Sequence, residues 1–403
     1  MTFIAGIILA FAFINCDNSY DDEESTVVSG GSGDNHFPDD PFPNEPFTIK
    51  SAAGWNNALS IIKNGGNNKD YTITVTGDFS VPGAGMWEYI FGNVSGVTIT
   101  LQGYGTISLS SAGCLLSIYH DQTVVVRDVT LRGYAANGNA VVYCSGNFRM
   151  EGNATVTGNI GNCGVYIDNS TGATFTMQDN ASVTGNTSPS SSGGVVTCGS
   201  FTMKDNASVM NNTSSNSSYS GGAGGVEVRG GTFIMQDNAK VINNTSSNSI
   251  YGGGGVYVDG GTFTMLGGMV SGNTAISGGG VFVYHGTFYM QNSAMVSGNT
   301  ASAGDGGGIM VGVGFMEAAF TMQGGTVSGN YASGDGGGVY ASGAAFTVIT
   351  KTGGTIYGSG EGTNSNTAGS GQGHTICQPY YGWRNTTAGP SVNVTNSDFW
   401  LND

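Results

Sequence analysis

Chemistry on a polysaccharide would call for paired carboxylates held a few ångströms apart, or for a cation site beside a basic group, so the acidic residues are weighed first. The adjacent pairs Asp21-Asp22 and Asp39-Asp40 lie in a stretch, residues 17–46, that holds nine acids, no Lys or Arg and four of the eight prolines. Such a stretch forms no core and cannot hold a catalytic geometry. Asp305 and Asp335 each stand four residues before a β-branched residue, Ile309 and Val339. If those two residues sit on adjacent rungs, the carboxylates come to about 5 Å from one another, a weak candidate for Ca²⁺ that reads more simply as a solvated loop. Six cysteines form no Cys-x-x-Cys metal pattern. No metal or other cofactor is expected.

Aromatic residues give the sharper candidate. One position past each of seven strand-opening residues stand Tyr166, Val196, Glu227, Tyr257, Phe282, Met310 and Tyr340, with Tyr219 and Tyr251 in the two longest loops between them. The equivalent column of the next strand reads Thr176, Thr202, Ile234, Thr264, Tyr289, Thr321 and Thr347. Four of seven outward positions are aromatic on the first face and one on the second, so the first face is the candidate binding face. Its aromatics could stack on sugar rings or on a partner's apolar patch. They could equally stack on one another and stiffen the sheet.

These columns exist only if a repeat places residues some 28 apart over one another. Phe148, Phe175, Phe201, Phe233, Phe263, Phe288, Phe320 and Phe346 follow at steps of 25 to 32 residues, most in Phe-Thr-Met or a close variant. An Asn stands 10 or 11 residues after each of the first seven: Asn159, Asn186, Asn212, Asn244, Asn273, Asn299 and Asn330. After a gap of 6 to 14 residues come Gly and then Val165, Val195, Val226, Val256, Val281, Ile309 or Val339. Each segment alternates apolar and polar, the period of a strand, and none contains Pro. Three strands per repeat, with Gly and Asn corners, predict an all-β right-handed parallel β-helix whose inward Phe, Met and Val columns form one core. The corner Asn is expected in a left-handed conformation, hydrogen-bonded up its own column. The spacing from Phe to Asn is nearly fixed and length varies most in the loop entering the first strand, which puts the longest insertions beside the aromatic column.

Strands are also read at 71–76, 97–101 and 123–131. Trp55, Leu59 and Ile62 mark a helix over 51–63 with Ser51 as N-cap. Aligning Val141 with Val195 sets Cys144 and Cys198 in one column two coils apart, about 9.6 Å and too far for a disulfide. The β-helix is expected over 48–403, with 48–70 as its N-terminal cap and the aromatic-rich 376–403 as its C-terminal cap.

Ahead of it, Phe3 to Ile14 is uncharged and too short to span a membrane. With Cys16 at its end it resembles a bacterial lipoprotein signal peptide, 1–16, in which Cys16 carries the lipid; a plain secretory signal with an incidental Cys16 stays open. Residues 17–47 then read as an acidic tether. The Gly-Gly-Val and Phe...Asn repeats are similar to those of chlamydial polymorphic outer-membrane proteins, and the whole layout resembles spirochaete β-helix lipoproteins. Those resemblances imply export, display at the outer membrane or cell surface, and adhesion. The polymorphic proteins end in a membrane barrel; none is read here, so the membrane is expected to be met through the lipid alone.

The function expected is therefore non-enzymatic adhesion or envelope contact by a monomer, with a glycan or a host or envelope surface protein as partner. A pectate-lyase-like enzyme is the alternative, since His374 and Arg384 resemble the basic residues of pectinolytic β-helices, and a passive spacer is the second. A net charge of -16 argues against nucleic acid.

Overall fold

The computed structural model describes residues 47–378 and 399–401, apart from 171, 216–220, 248–251, 314–315, 343–345, 361 and 370–375, and of residues 376–378 and 399–401 the backbone alone. Alternation of β-branched and polar residues yields short strands, and every strand pair is parallel, each strand hydrogen-bonding to the one about 28 residues along. The chain is a β-solenoid of about 11 turns. Face one carries strands such as Val195–Thr197, face two those such as Ser200–Met203, and face three those such as Ser208–Met210. Directly after the corner Asn the structure adds a fourth ladder of two-residue strands, from Thr187–Ser188 to Thr367–Ala368. Its inward residues, from Ser188 to Ala368, are small, Ser or Ala, and buried.

The inward column of face two is a continuous stack. From Phe148 to Phe320, successive rings lie 4.7 to 5.1 Å apart with planes 7° to 21° from parallel. All seven are buried. Each buried Phe contributes roughly 1.5–3 kcal/mol by leaving water, and stacking adds about 0.5–1.5 kcal/mol. Phe346, expected as the eighth, is not in the column: Phe320 pairs with Ile349, and Phe346 is 46% exposed. Its place in the outward column goes likewise to Thr350 rather than Thr347. The alternation of the strand Thr347–Ile356, not the Phe-Thr pair, decides which residue points inward. Lys351 falls where Met322 and its predecessors fill the core. Burial lowers its pKa, a polar end to the apolar column, as terminal repeats require.

The asparagines form the ladder the spacing predicts. In six successive links from Asn186 to Asn366, the side-chain Nδ2 and the backbone N–H of one Asn both donate to Oδ1 of the next, at 2.9 to 3.1 Å. Each Nδ2 also reaches a carbonyl in the coil before, as Asn244 does to Val209 at 3.0 Å. The left-handed residue, however, is the one before the Asn. Gly185, Asn211, Asn243 and Gly272 have φ of 64°, 54°, 56° and 64°. Tightening the corner one residue early frees the Asn itself to turn inward.

Glycine at the corner into face one has a steric cause. A Cβ on Gly224 would lie 2.5 Å from the Thr245 nitrogen and 2.6 Å from the Gly254 oxygen, so backbones of neighbouring coils approach there without room for a side chain.

The first described strand, Phe47–Ile49, begins where the tether is expected to end. The helix Ala52–Asn64 covers this end of the stack: Ser51 Oγ accepts from Gly54 N–H, and Trp55, Ala58 and Ile62 are buried against the first coils. It shields sheet edges that would otherwise be open to pairing. At the other end, strands Ile376–Gln378 and Phe399–Leu401 continue face one in parallel; the rest of the expected cap lies outside the described residues.

Candidate functional site

Face one has the outward register that the repeat predicts, each residue opposite the next from Tyr166 through Val196, Glu227, Tyr257, Phe282 and Met310 to Tyr340. Its exposure differs from expectation. Tyr257 is 1% exposed and Phe282 is buried, while Tyr166 and Tyr340 are half-buried. The loops entering face one fold back over it. Gly221 lies against the Tyr257 ring, where an added Cβ would come within 2.6 Å. Ala223, Tyr257, Phe282 and Met310 thus make a second apolar cluster outside the solenoid wall. The aromatic column is largely a core for its own loops. Tyr219 and Tyr251 lie outside the described residues, as do Cys16, His374 and Arg384.

Glu227, in the same column, is wholly buried and fully engaged. Arg229 Nε donates to its Oε1 at 2.9 Å, and Ser192 Oγ donates to its Oε2 at 2.6 Å. Ser192 in turn accepts from Ala223 N–H at 2.8 Å, so the carboxylate pins a loop to the face. The same charge, after burial itself, pushes the neighbouring Asp259 carboxyl up from 3.8, against the pull of Arg229 and His285. A group whose folded pKa is raised contributes stability that is full below pH 3.8 and is lost as pH rises through the folded value. Asp259→Asn is therefore expected to match the wild type in acid and to exceed it at neutral pH. Urea midpoints measured against pH test this; parallel curves for the two proteins would rule it out.

Asp305 and Asp335 do fall on adjacent rungs. Asp305 Oδ1 accepts from the Asp335 N–H at 2.8 Å, so its carboxylate caps the next loop. Among the described residues no group of three or more His, Cys, Asp or Glu could hold a metal ion.

Cys144 aligns with Ile118, Ile167 and Thr197, which places Cys198 one residue beyond its column. The source of the difference is that Val142, not Val141, opens the strand paired with Val165 and so with Val195. Cys114, Cys144, Cys163 and Cys198 are all buried and joined in no disulfide. Burial pushes Cys114 up to about 12 and raises Cys144 and Cys163 as well. At neutral pH these three are expected to resist alkylation by iodoacetamide until the chain is unfolded, as mass spectrometry of labelled native and denatured protein would show.

The corrected alignment brings in a residue that the sequence reading passes over. Tyr143 precedes Tyr166 in the outward column and stacks on it, centroids 5.6 Å apart and planes 5° from parallel. Trp87 meets Tyr143 edge to face at 5.1 Å, and beside them Tyr89 meets Tyr119 at 4.8 Å. Trp87 and Tyr89 come from the excursion between strands Phe79–Val81 and Val97–Gly103, which Gln122, opening the face-two strand Gln122–Arg127, holds by donating to the Gly92 and Val94 carbonyls at 2.7 and 3.1 Å. Between the aromatics sits Asp168, 7% exposed. Its Oδ2 accepts from Tyr143 OH at 2.9 Å and from Ser145 Oγ at 2.6 Å, and its Oδ1 accepts from Ser170 N–H at 2.8 Å. Desolvation, then the Asp168 charge, raises the Tyr143 pKa, so the phenol stays a donor. The signal in sequence is the likeness of Val142-Tyr143-Cys144 to Val165-Tyr166-Ile167.

Compared with known proteins, the chain matches no family model, no curated protein and no solved structure.

Proposed function

We propose that this protein is an exported surface β-helix, anchored by a lipid on Cys16, that acts by adhesion or envelope contact rather than by catalysis. The observation that carries the reading is one-sidedness: variable loops and outward aromatics gather on face one, while faces two and three keep a nearly constant length. In solenoids such insertions mark the binding face. The resemblance of residues 1–16 to a lipoprotein signal, and of the acidic stretch behind it to a spacer, supports display at a membrane. The similarity of the repeats to chlamydial and spirochaete surface proteins supports the adhesive role.

The test is made in cells that produce the full chain. Wild type is expected to partition with detergent, to be digested by protease added to intact cells, and to increase attachment of those cells to coated glycan or matrix surfaces. Cys16→Ser is expected to move it to the aqueous phase. Protection from protease on intact cells, or aqueous partition of both forms, would overturn the proposal.

A further inference from the structure

We infer that Trp87, Tyr89, Tyr119, Tyr143 and Tyr166, set around the Asp168 carboxylate, form a glycan-binding site whose ligand is a neutral pyranose chain. The inference rests on the adhesive reading above and deepens it by naming the class of ligand. Trp87 is 57% exposed, a large indole surface left to solvent on a rigid support. Behind it Tyr143 is held between the Tyr166 ring and the Asp168 carboxylate, so the platform exists before any ligand arrives and loses little freedom on binding. Exposed Trp and Tyr on a well-packed base are the usual anchors of recognition. A sugar ring matches their mixed character, with C–H faces for the rings and hydroxyls for the phenols at the rim, while the buried Asp168 and Ser145 fix the Tyr143 hydroxyl from behind.

Charge selects among sugars. Asp168, the exposed Glu88 beside Trp87 and the exposed Asp121 are acidic, and the residues that make up the patch include no Lys or Arg; the cations at its edges are His120 against Asp121, Lys63 on the cavity that Glu88 also lines, and Arg229 near Tyr166, the last already paired with Glu227. An acidic polysaccharide would bring like charge to a nearly buried carboxylate, which is unfavourable. Tyr143 and Tyr166 stand in register on successive coils, about 4.8 Å apart, with the exposed Trp87 set against Tyr143, so an extended chain lying along the solenoid axis would meet Trp87 and the half-buried Tyr166 in turn.

The purified full chain is titrated with cellohexaose and chitohexaose as neutral probes, and with polygalacturonate and hyaluronate as acidic ones, by calorimetry. Binding of a neutral probe, weakened roughly tenfold or more by Trp87→Ala and unchanged by Tyr104→Ala, is expected; Tyr104, 77% exposed, stands on another corner. If Trp87→Ala lowers the melting temperature, Trp87→Leu takes its place with the same expected loss. No binding of either neutral probe, binding of acidic probes alone, or binding indifferent to Trp87 would each overturn the inference. Protease protection on intact cells would sink the adhesive reading and leave this binding measurable, so the two failures are distinguishable.

Discussion

Asn244→Ala is expected to destabilise the chain by about 3 kcal/mol or more, because it strips partners from groups that water cannot reach. Asn244 Oδ1 accepts from Asn212 N–H at 3.0 Å and from Asn212 Nδ2 at 3.1 Å, and its own Nδ2 donates to the Val209 carbonyl at 3.0 Å. Each buried group left without a partner costs about 1–3 kcal/mol. Asn244→Asp keeps the acceptor but sets a carboxylate oxygen against the Val209 carbonyl; only its protonated form restores a donor, so the variant's stability is expected to fall as pH rises. Coils contact only their neighbours. Hydrogen exchange should therefore quicken around residues 212, 244 and 273 and stay slow near 148 and 330. Uniform protection throughout would show that the ladder is not what holds these corners.

Phe233→Ala is expected to cost about 3–5 kcal/mol. The ring is buried between Phe201 at 4.7 Å and Phe263 at 4.8 Å, and neither neighbour can close the gap without breaking its own parallel pairing. Phe346→Ala supplies the comparison within the same chain. That ring is 46% exposed and out of the column, so its loss should stay within about 0.5 kcal/mol. Denaturant midpoints of the two variants check both figures, and equal shifts would contradict the stacking argument.

Where the order of residues alone carried structure, it did so through periodicity. The Phe and Asn columns, the face-one register from Tyr166 to Tyr340 and the helix capped by Ser51 could all be read because each depends on local alternation or on a spacing repeated seven times. Phe346 stands outside the column because the alternation of the strand after it, not its own Phe-Thr pair, sets which residue faces inward. Burial of Tyr257 and Phe282 was not readable, since it depends on how loops such as that at Gly221 fold back, and loop paths leave no periodic trace. The patch at Trp87 was hidden for a related reason. Its excursion occurs once, and Tyr143 joins the column only when the alignment of one weak repeat is moved by a single residue.

The row of buried asparagines also gives the molecule a polarity. In each of the six links from Asn186 to Asn366 the carboxamide donates toward the C-terminal neighbour, so the amide dipoles point one way and add, as peptide dipoles do in a helix. A folding stack then offers each arriving coil an amide hydrogen that only a correctly oriented carbonyl can meet. A coil docked inverted would bring hydrogen against hydrogen in a dry corner. The row thus selects the orientation of each arriving coil, a task that the flat Phe rings, which can stack on either face, cannot perform.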